Sequence, residues 1–228
     1  MGRIYAESQL VIIAAAGNSS HHGLPGVGQK PREAQKRLQV NTGVEFIQIL
    51  APKVALAGST WASRGWTHQE GYLAPRRLVF TESEVFYVCA QASWQGSMQQ
   101  PSLKDREFTL DVHHPHFPRF YNNAYDVFDV LSNYSTRKLS FKSDILNACT
   151  GVLNWLVYYH YWGMPVRYYA SESQLTLSLN WRSRYPGERR EGFPSWSWVA
   201  TTGPKQLSSP WYSRGIGLTT HVSAADEG

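Results

Sequence analysis

The chain has 228 residues, of which 42% are hydrophobic and 17% are charged, and this balance indicates a globular rather than a disordered protein. The net charge of +5 is modest and the basic residues are scattered, so a nucleic-acid partner is not expected. The longest apolar run, residues 10–16, is too short to cross a bilayer, and no signal peptide is visible. We therefore expect a cytoplasmic protein with no membrane span.

The segment 1–90 carries signals of alternating helices and strands. Residues 2–9 are predicted to form the last part of a helix. The short apolar run 10–14 is typical of a strand in a parallel sheet, with both of its faces buried. Residues 17–43 form a long polar connection with several glycines and prolines. Residues 44–50 alternate apolar and polar side chains, as a strand does.

A helix and a hairpin are predicted next along the chain. Residues 67–73 are predicted to form the helix, and Pro75 ends it. Residues 78–80 and 85–89 have the pattern of two antiparallel strands, joined by the polar turn 81–84. These elements predict an α/β fold in this part of the chain, with a parallel sheet and helices packed on it.

The second half of the chain begins with a change in composition. Residues 91–118 are rich in Gln, Ser, Pro and His, and this marks a predicted boundary. Apolar side chains recur at helical spacing over 120–134 and 144–159, and Ser143 is expected to cap the second helix. Residues 175–181 are predicted to form a strand.

The end of the chain carries a tryptophan pair and then a polar tail. Trp196 and Trp198 alternate around Ser197, so both are expected on one face of an extended segment. The predicted organisation has four parts, namely an α/β part at 1–90, a linker-like segment at 91–118, a mixed, mainly helical part at 119–202 and a loose tail at 203–228.

The most informative stretch runs from Trp61 to Glu70 and reads W-A-S-R-G-W-T-H-Q-E. Tryptophans bury large areas, so a lone carboxylate beside two of them has either a structural or a chemical role. Together with the R-R-L-V-F strand that follows, this stretch resembles the signature of the fungal heterokaryon-incompatibility (HET) domain. Other segments that match the family in order are GRIYA at 2–6, GLPGV at 23–27, YSTRKL at 134–139 with Asp144, Ala148 and Gly151, and PSWSW at 194–198.

The resemblance implies a fold and a role. The family's opening part is absent, so residues 1–90 are expected to be the C-terminal part of a HET domain and residues 119–202 its extension. HET domains are remotely similar to TIR domains, which implies a partial flavodoxin-like, TIR-like parallel sheet with helices. The strand at 10–14 would then lack a partner on one edge. The implied role is an effector in fungal non-self recognition and programmed cell death.

Glu70 is the candidate catalytic residue. In catalytic TIR domains, a glutamate on the helix after a strand cleaves the nicotinamide–ribose bond of NAD, and Trp66-Thr-His-Gln-Glu70 resembles that arrangement. A carboxylate suits this reaction, because loss of nicotinamide leaves a positive, oxocarbenium-like centre on the ribose. The resemblance implies NAD glycohydrolase-like activity only when the missing N-terminal part is present, with NAD as substrate and without a cofactor.

Trp66 and Arg64 are the candidate binding residues for that substrate. Arg64, together with His68, would flank a phosphate or a ribose. In the structural alternative, Glu70 pairs with Arg64 or Arg77 and only fixes the helix, and Arg64 belongs to a surface ion pair.

No metal site is expected from the sequence. Cys89 and Cys149 lie too far apart for a zinc spacing, and the histidines at 113–116 are predicted to lie in an exposed loop. Residues 23–28 lack the Gly-Lys-Ser/Thr of a phosphate loop and are interpreted as a turn-rich loop. Ser195 lies outside any nucleophile-elbow motif and is interpreted as structural.

Two alternative functions stay open. The chain would be a non-catalytic module that signals by self-association, with exposed aromatic side chains at its interface and Glu70 as a structural residue. It would otherwise be an inactive, truncated remnant. Protein partners or self-association are expected for any active form.

Overall fold

The computed structural model describes residues 1–40, 43–48, 50, 52–89, 93–96, 125–156, 159–169, 174–177, 179 and 181–207 of the chain. The chain divides into two compact units, Met1–Phe120 and Tyr121–Gly228. Both combine helices with sheets, which confirms the predicted α/β class. The histidines at 113–116 and the predicted tail beyond residue 207 lie outside the described residues.

The first unit is built on a mixed four-stranded sheet and a separate two-stranded ribbon. The strands are β1 (Val11–Ala14), β2 (Arg37–Gln39), β3 (Glu45–Ile47), β4 (Arg76–Phe80), β5 (Val85–Cys89) and β6 (Ser93–Gln95). The sheet has the order β1-β4-β5-β6, with β1 parallel to β4 and the other pairs antiparallel, while β2 pairs with β3. The parallel strand and the β4–β5 hairpin confirm the sequence predictions, and β6 extends the sheet beyond them.

β1 is the end strand of the described sheet, and the expectation that both of its faces are buried is wrong. Ile13 is fully buried, but Ile12 is 55% exposed. Successive side chains of a strand point to opposite faces, and the buried core that contains Ile13 covers only one of them. β1 is also the last strand in the order, with β4 on one side. An apolar edge of this kind favours pairing with a further strand.

Four α-helices are described in the first unit. They are α1 (Gly2–Ala6), α2 (Pro52–Ala57), α3 (Thr60–Ser63) and α4 (Thr67–Leu73), and α4 has the predicted bounds. Ser59 caps α3, because its hydroxyl accepts a hydrogen bond from the N–H of Ala62 at 3.0 Å. The buried core that joins α2 and α3 to the sheet contains Ile13, Ala15, Leu56, Trp61, Ala62, Val79, Phe86 and Val88.

Thr81 holds the turn between β4 and β5. Its N–H and its hydroxyl donate to the carbonyl of Glu84 at 2.9 and 2.8 Å, and the N–H of Glu84 donates back to the Thr81 hydroxyl at 3.1 Å. Because the two ends of the turn are bonded to each other, the backbone of Glu82 between them has a defined position.

The second unit combines two helices and five strands in its described part. They are α5 (Tyr125–Tyr134), α6 (Asn147–Leu156), β7 (Tyr159–Tyr161), β8 (Met164–Tyr169), β9 (Gln174–Leu177), β10 (Trp181–Ser183) and β11 (Lys205–Leu207). β7, β8 and β9 form one antiparallel sheet, and β10 pairs with β11 in another. The sequence predicted both helices and a single strand at 175–181, which the structure divides between β9 and β10.

The start of the second predicted helix differs from the expectation. Residues Lys142–Ile145 form a 3₁₀ turn ahead of α6, and Ser143 lies inside this turn instead of capping a helix. Short 3₁₀ turns are common at helix starts, where they bond backbone groups that the α-helix leaves unpaired. Four members of the predicted apolar stripe are buried, namely Ile145, Cys149, Val152 and Leu153, while Leu146 and Leu156 are half-buried.

Ser197 bends the segment between Trp196 and Trp198, so the expectation of an extended segment there is wrong. The Ser197 hydroxyl donates to the carbonyl of Trp162 at 2.6 Å, and it caps the 3₁₀ turn that begins at Trp198. Trp198 is buried, whereas Trp196 stacks on Tyr161 with ring centroids 5.5 Å apart. A serine hydroxyl that accepts from the N–H two residues on, here that of Val199, competes with the strand conformation in this way.

Both cysteines are free thiols, and their surroundings differ. Cys149, on α6, is fully buried, and burial raises the pKa of its thiol well above the ordinary range. Cys89, at the end of β5, is half-buried.

Within the described ranges, no helix is both long and apolar enough to cross a membrane. In the same part of the chain, no group of three or more His, Cys, Asp or Glu side chains is arranged to hold a metal ion.

Candidate functional site

A cleft of about 320 Å³ opens at the carboxyl end of β1. The carboxyl ends of parallel strands are where open α/β sheets bind their ligands. Small residues at the end of β1 leave space for the cleft. Its lining comes from β1, the loop at 17–24 and the region of α3, and comprises Ala14, Ala16, Gly17, Asn18, Ser19, Ser20, Gly23, Leu24, Thr60, Trp61 and Arg64.

The cleft lining combines an aromatic ring, a cation and several hydrogen-bonding groups. Trp61 is a buried residue of α3, and Arg64 is an exposed residue directly after that helix. The loop at 17–24, called the cleft loop below, supplies the amide of Asn18 and the hydroxyls of Ser19 and Ser20. Such a lining suits a polar ligand that carries negative charge.

Glu82 holds the cleft loop. Its Oε1 accepts a hydrogen bond from the N–H of Gly17 at 2.8 Å, and its Oε2 lies 3.0 Å from Nε2 of His22. Gly17 has a φ of +68°, and a Cβ at this position would lie 2.1 Å from Cγ of His22, so only glycine fits here. One carboxylate therefore fastens two separate points of the loop.

Opposing influences act on the carboxyl of Glu82. Partial burial raises its pKa, but the hydrogen bonds from His22 and Gly17, with the charges of His22 and Lys30, outweigh burial and hold the pKa below the ordinary 4.5. Because the folded-state pKa is lower than the unfolded one, the Glu82 carboxylate stabilises the fold above about pH 4.5. This contribution is lost as the pH falls through the folded-state pKa.

Acid is therefore expected to release Gly17 from Glu82. The amide of Gly17 should keep its hydrogen-bonded chemical shift down to the ordinary carboxyl pKa of 4.5 and lose it only in more acidic solution. Spectra of a ¹⁵N-labelled sample between about pH 7 and about pH 3 measure the midpoint. Glu82→Gln is the control, since its side chain does not titrate. A Gly17 midpoint above that ordinary value would contradict the expectation.

Glu70 lies in the first turn of α4, half-buried among groups from three helices. Burial raises the pKa of its carboxyl, and this effect exceeds the opposing effects of a hydrogen bond from Trp61 and the charge of Arg64. Tyr5 lies on α1, which packs against α4, and burial and then the charge of Glu70 raise the pKa of its phenol. We call Tyr5, Trp61, Arg64 and Glu70 the Glu70 cluster. Its carboxylate has the partly desolvated setting that is frequent at catalytic sites.

The structure brings together two of the three predicted site residues. Glu70 and Arg64 share the Glu70 cluster, and Arg64 also lines the cleft. Trp66 is half-buried directly before α4, and neither Trp66 nor Glu70 is among the described residues that line the cleft. The sequence assigned no role to Trp61, which borders the cleft and lies beside Glu70. The sequence did contain a signal for this role, because Trp61 lies three residues before Arg64 and residues three apart are neighbours on a helix surface.

Arg77, the other candidate partner of Glu70, bonds the C-terminal end of α4. Arg77 is 2% exposed, and its Nε and Nη2 donate to the carbonyls of Gly71 and Tyr72 at 2.6 and 3.2 Å. Burial lowers the pKa of this guanidinium to about 10. Arg77 therefore holds the C-terminal end of α4, while the charge that acts on Glu70 is that of Arg64.

His68 does not flank the cleft. It is 1% exposed, and its ring centroid lies 5.9 Å from that of Tyr72 within α4. The expectation that His68 joins Arg64 at a phosphate or ribose is therefore wrong, because the face of α4 that carries this histidine is turned into the core.

Residues 1–70 match the model of the family described as heterokaryon incompatibility protein (HET). This match confirms the resemblance over that segment, which is 70 of the 228 residues and includes the whole cleft lining and the Glu70 cluster. No curated protein and no solved structure matches the chain.

Proposed function

We propose, on the premise that residues 1–70 are a segment of a HET domain, that this protein acts in heterokaryon incompatibility. It would take part in non-self recognition after fungal hyphae fuse, and in the programmed cell death that follows. The position of the family match supports this role, because the matched residues include both the cleft and the Glu70 cluster.

The chemistry we propose is cleavage of the nicotinamide–ribose bond of NAD, with Glu70 as the catalytic carboxylate. The observation that carries this proposal is the setting of Glu70, which is half-buried beside Trp61 and Arg64, two residues that line the cleft. Bond breakage sends the electron pair to the nicotinamide nitrogen and leaves a positive centre on the ribose. Water adds to that centre and gives up a proton. A poorly hydrated carboxylate stabilises the positive centre more than a fully hydrated one does.

Arg64 and Trp66 are the proposed binding residues. Arg64 lines the cleft and would hold the phosphate oxygens of NAD, since a guanidinium matches two oxygens at once. Trp66, half-buried directly before α4, would supply an aromatic surface for one of the rings. The cleft of about 320 Å³ lies at the small end of ligand pockets, so it would take the nicotinamide–ribose–phosphate portion of NAD rather than the whole molecule.

Glu70→Gln is expected to slow NAD cleavage about a hundredfold in a protein that remains folded, because glutamine keeps the shape of the side chain and removes its charge. NAD loss is measured with the wild-type and the Glu70→Gln forms of the purified native gene product, and circular dichroism checks that both are folded. Glu33→Gln is the matched control, since it removes an exposed carboxylate from the same unit and should leave the rate unchanged. A Glu70→Gln variant that consumes NAD at the wild-type rate would end the enzymatic proposal.

A second candidate function is a non-catalytic module that acts by self-association. An exposed apolar pair on the ribbon of β2 and β3 favours it, because Leu38 and its register partner Phe46 are 65% and 58% exposed. In that case Glu70→Gln would leave cell killing unchanged. Phe46→Ser would abolish killing together with the self-association that sedimentation measures.

A further inference from the structure

The cleft loop supplies more than half of the residues that line the cleft. Its start is fixed by backbone bonds, because the N–H groups of Ala15 and Ala16 both donate to the carbonyl of Phe80 at 2.9 and 3.0 Å. Beyond that point, the Glu82 carboxylate ties the loop to the turn after β4, because it bonds Gly17 and His22. One side chain therefore fastens the loop at two points, Gly17 and His22.

We infer that Glu82 is a positioning residue, which holds the cleft loop in the shape that binds the ligand. The inference rests on the proposed function, because it takes the cleft as the place where NAD binds. Glu82 does not line the cleft among the described residues, so its effect would pass through Gly17 and His22.

The turn that carries Glu82 gives this carboxylate a fixed origin. The bonds between Thr81 and Glu84 close the turn, and the carbonyl of Glu82 accepts a hydrogen bond from the N–H of Glu33 at 2.9 Å. Because the backbone of this turn is fixed, its carboxylate can hold the loop in place. The geometry matches that of a supporting residue that fixes the groups in contact with a ligand.

The cleft loop would contribute hydrogen-bond donors to the ligand. Asn18, Ser19 and Ser20 lie between the two points that Glu82 fastens, and all three line the cleft. Together with Arg64 on the other part of the lining, they form a set of donors suited to the phosphate and ribose hydroxyls of a nucleotide. Release of Gly17 and His22 would let these donors move apart, and binding would weaken.

The test compares Glu82→Ala and Glu82→Gln with the wild-type chain. Glu82→Ala should speed hydrogen exchange about tenfold in residues 17–24 and leave exchange in α5 and α6 unchanged. It should also raise the KM for NAD about tenfold while kcat changes less. Glu82→Gln should restore part of both effects, because its amide oxygen still accepts from the Gly17 N–H. Glu33→Ala is the control, since it removes a nearby exposed carboxylate that contacts neither Gly17 nor His22.

Each outcome decides the inference. Unchanged exchange in residues 17–24 of Glu82→Ala would overturn it, and so would faster loop exchange with an unaltered KM in a protein that cleaves NAD. If the wild-type chain neither binds nor cleaves NAD, the proposed function fails. Loop exchange alone then decides whether Glu82 holds the loop.

Discussion

Arg77→Met is expected to lower the free energy of unfolding of the first unit by about 2–4 kcal/mol. The Arg77 side chain is buried, and its guanidinium donates to the carbonyls of Gly71 and Tyr72 at the end of α4. Carbonyls in the last turn of a helix have no following N–H within the helix, so they depend on such donors. Methionine fills a similar volume but offers no donor, and two buried acceptors would lose their charged partner.

Urea denaturation followed by tryptophan fluorescence measures this loss. Arg76→Met is the matched control, because Arg76 neighbours Arg77 on β4 but is exposed, and its replacement should change stability by less than about 0.5 kcal/mol. Arg77→Lys should fall between the two, since an ammonium group cannot reproduce the fork of a guanidinium. Equal midpoints for Arg77→Met and the wild type would mean that this side chain does not hold the end of α4.

Trp198→Ala is expected to destabilise the second unit by about 3–5 kcal/mol, the range for removing a large ring from a core. The Trp198 side chain is 1% exposed, its Nε1 donates to the carbonyl of Gly163 at 2.9 Å, and its ring meets that of Tyr134 edge-on at 6.0 Å. Alanine would leave a cavity and a buried carbonyl without its donor. Gly163 has no side chain that could fill the gap. Its φ of +81° favours glycine, and a Cβ there would lie 3.3 Å from Nε1 of Trp198.

Calorimetry of the variants measures the effect. Trp155→Ala is the control, because Trp155 on α6 is 54% exposed and its loss should change stability by less than about 1 kcal/mol. Trp198→Phe keeps an aromatic ring and removes the donor, so a loss of about 1–3 kcal/mol is expected. If Trp198→Ala proved no more harmful than Trp155→Ala, the ring of Trp198 would not be part of the core.

Local patterns predicted much of the first unit, and the failures have a common physical cause. α4 and the β4–β5 hairpin depend on near neighbours, namely apolar spacing, a proline after the helix and a polar turn. β2 and β6 are three residues long and carry too little pattern to be distinguished from loops. The burial of β1 was overestimated, because an apolar residue reveals its own hydrophobicity but not whether another layer covers the face to which it points.

The candidate site was predictable only where its residues share one motif. Glu70 and Arg64 stand within the same short stretch, and the sequence indicated both. Gly17 and Glu82 are 65 residues apart, and they meet only because β1 and β4 lie side by side in the folded sheet. No pattern in either segment indicates the other. The role of Trp61 depends on α3, a helix of four residues that sequence signals rarely reveal.

The different burial of the two thiols provides a natural chemical reporter. Cys89 belongs to the first unit and Cys149 to the second. A thiol reagent added to the native protein would reach the half-buried Cys89 first, whereas Cys149 becomes reactive only when α6 opens and its thiol meets water. The rate of the second alkylation, read by mass spectrometry, therefore reports the opening of the second unit alone, without any engineered label.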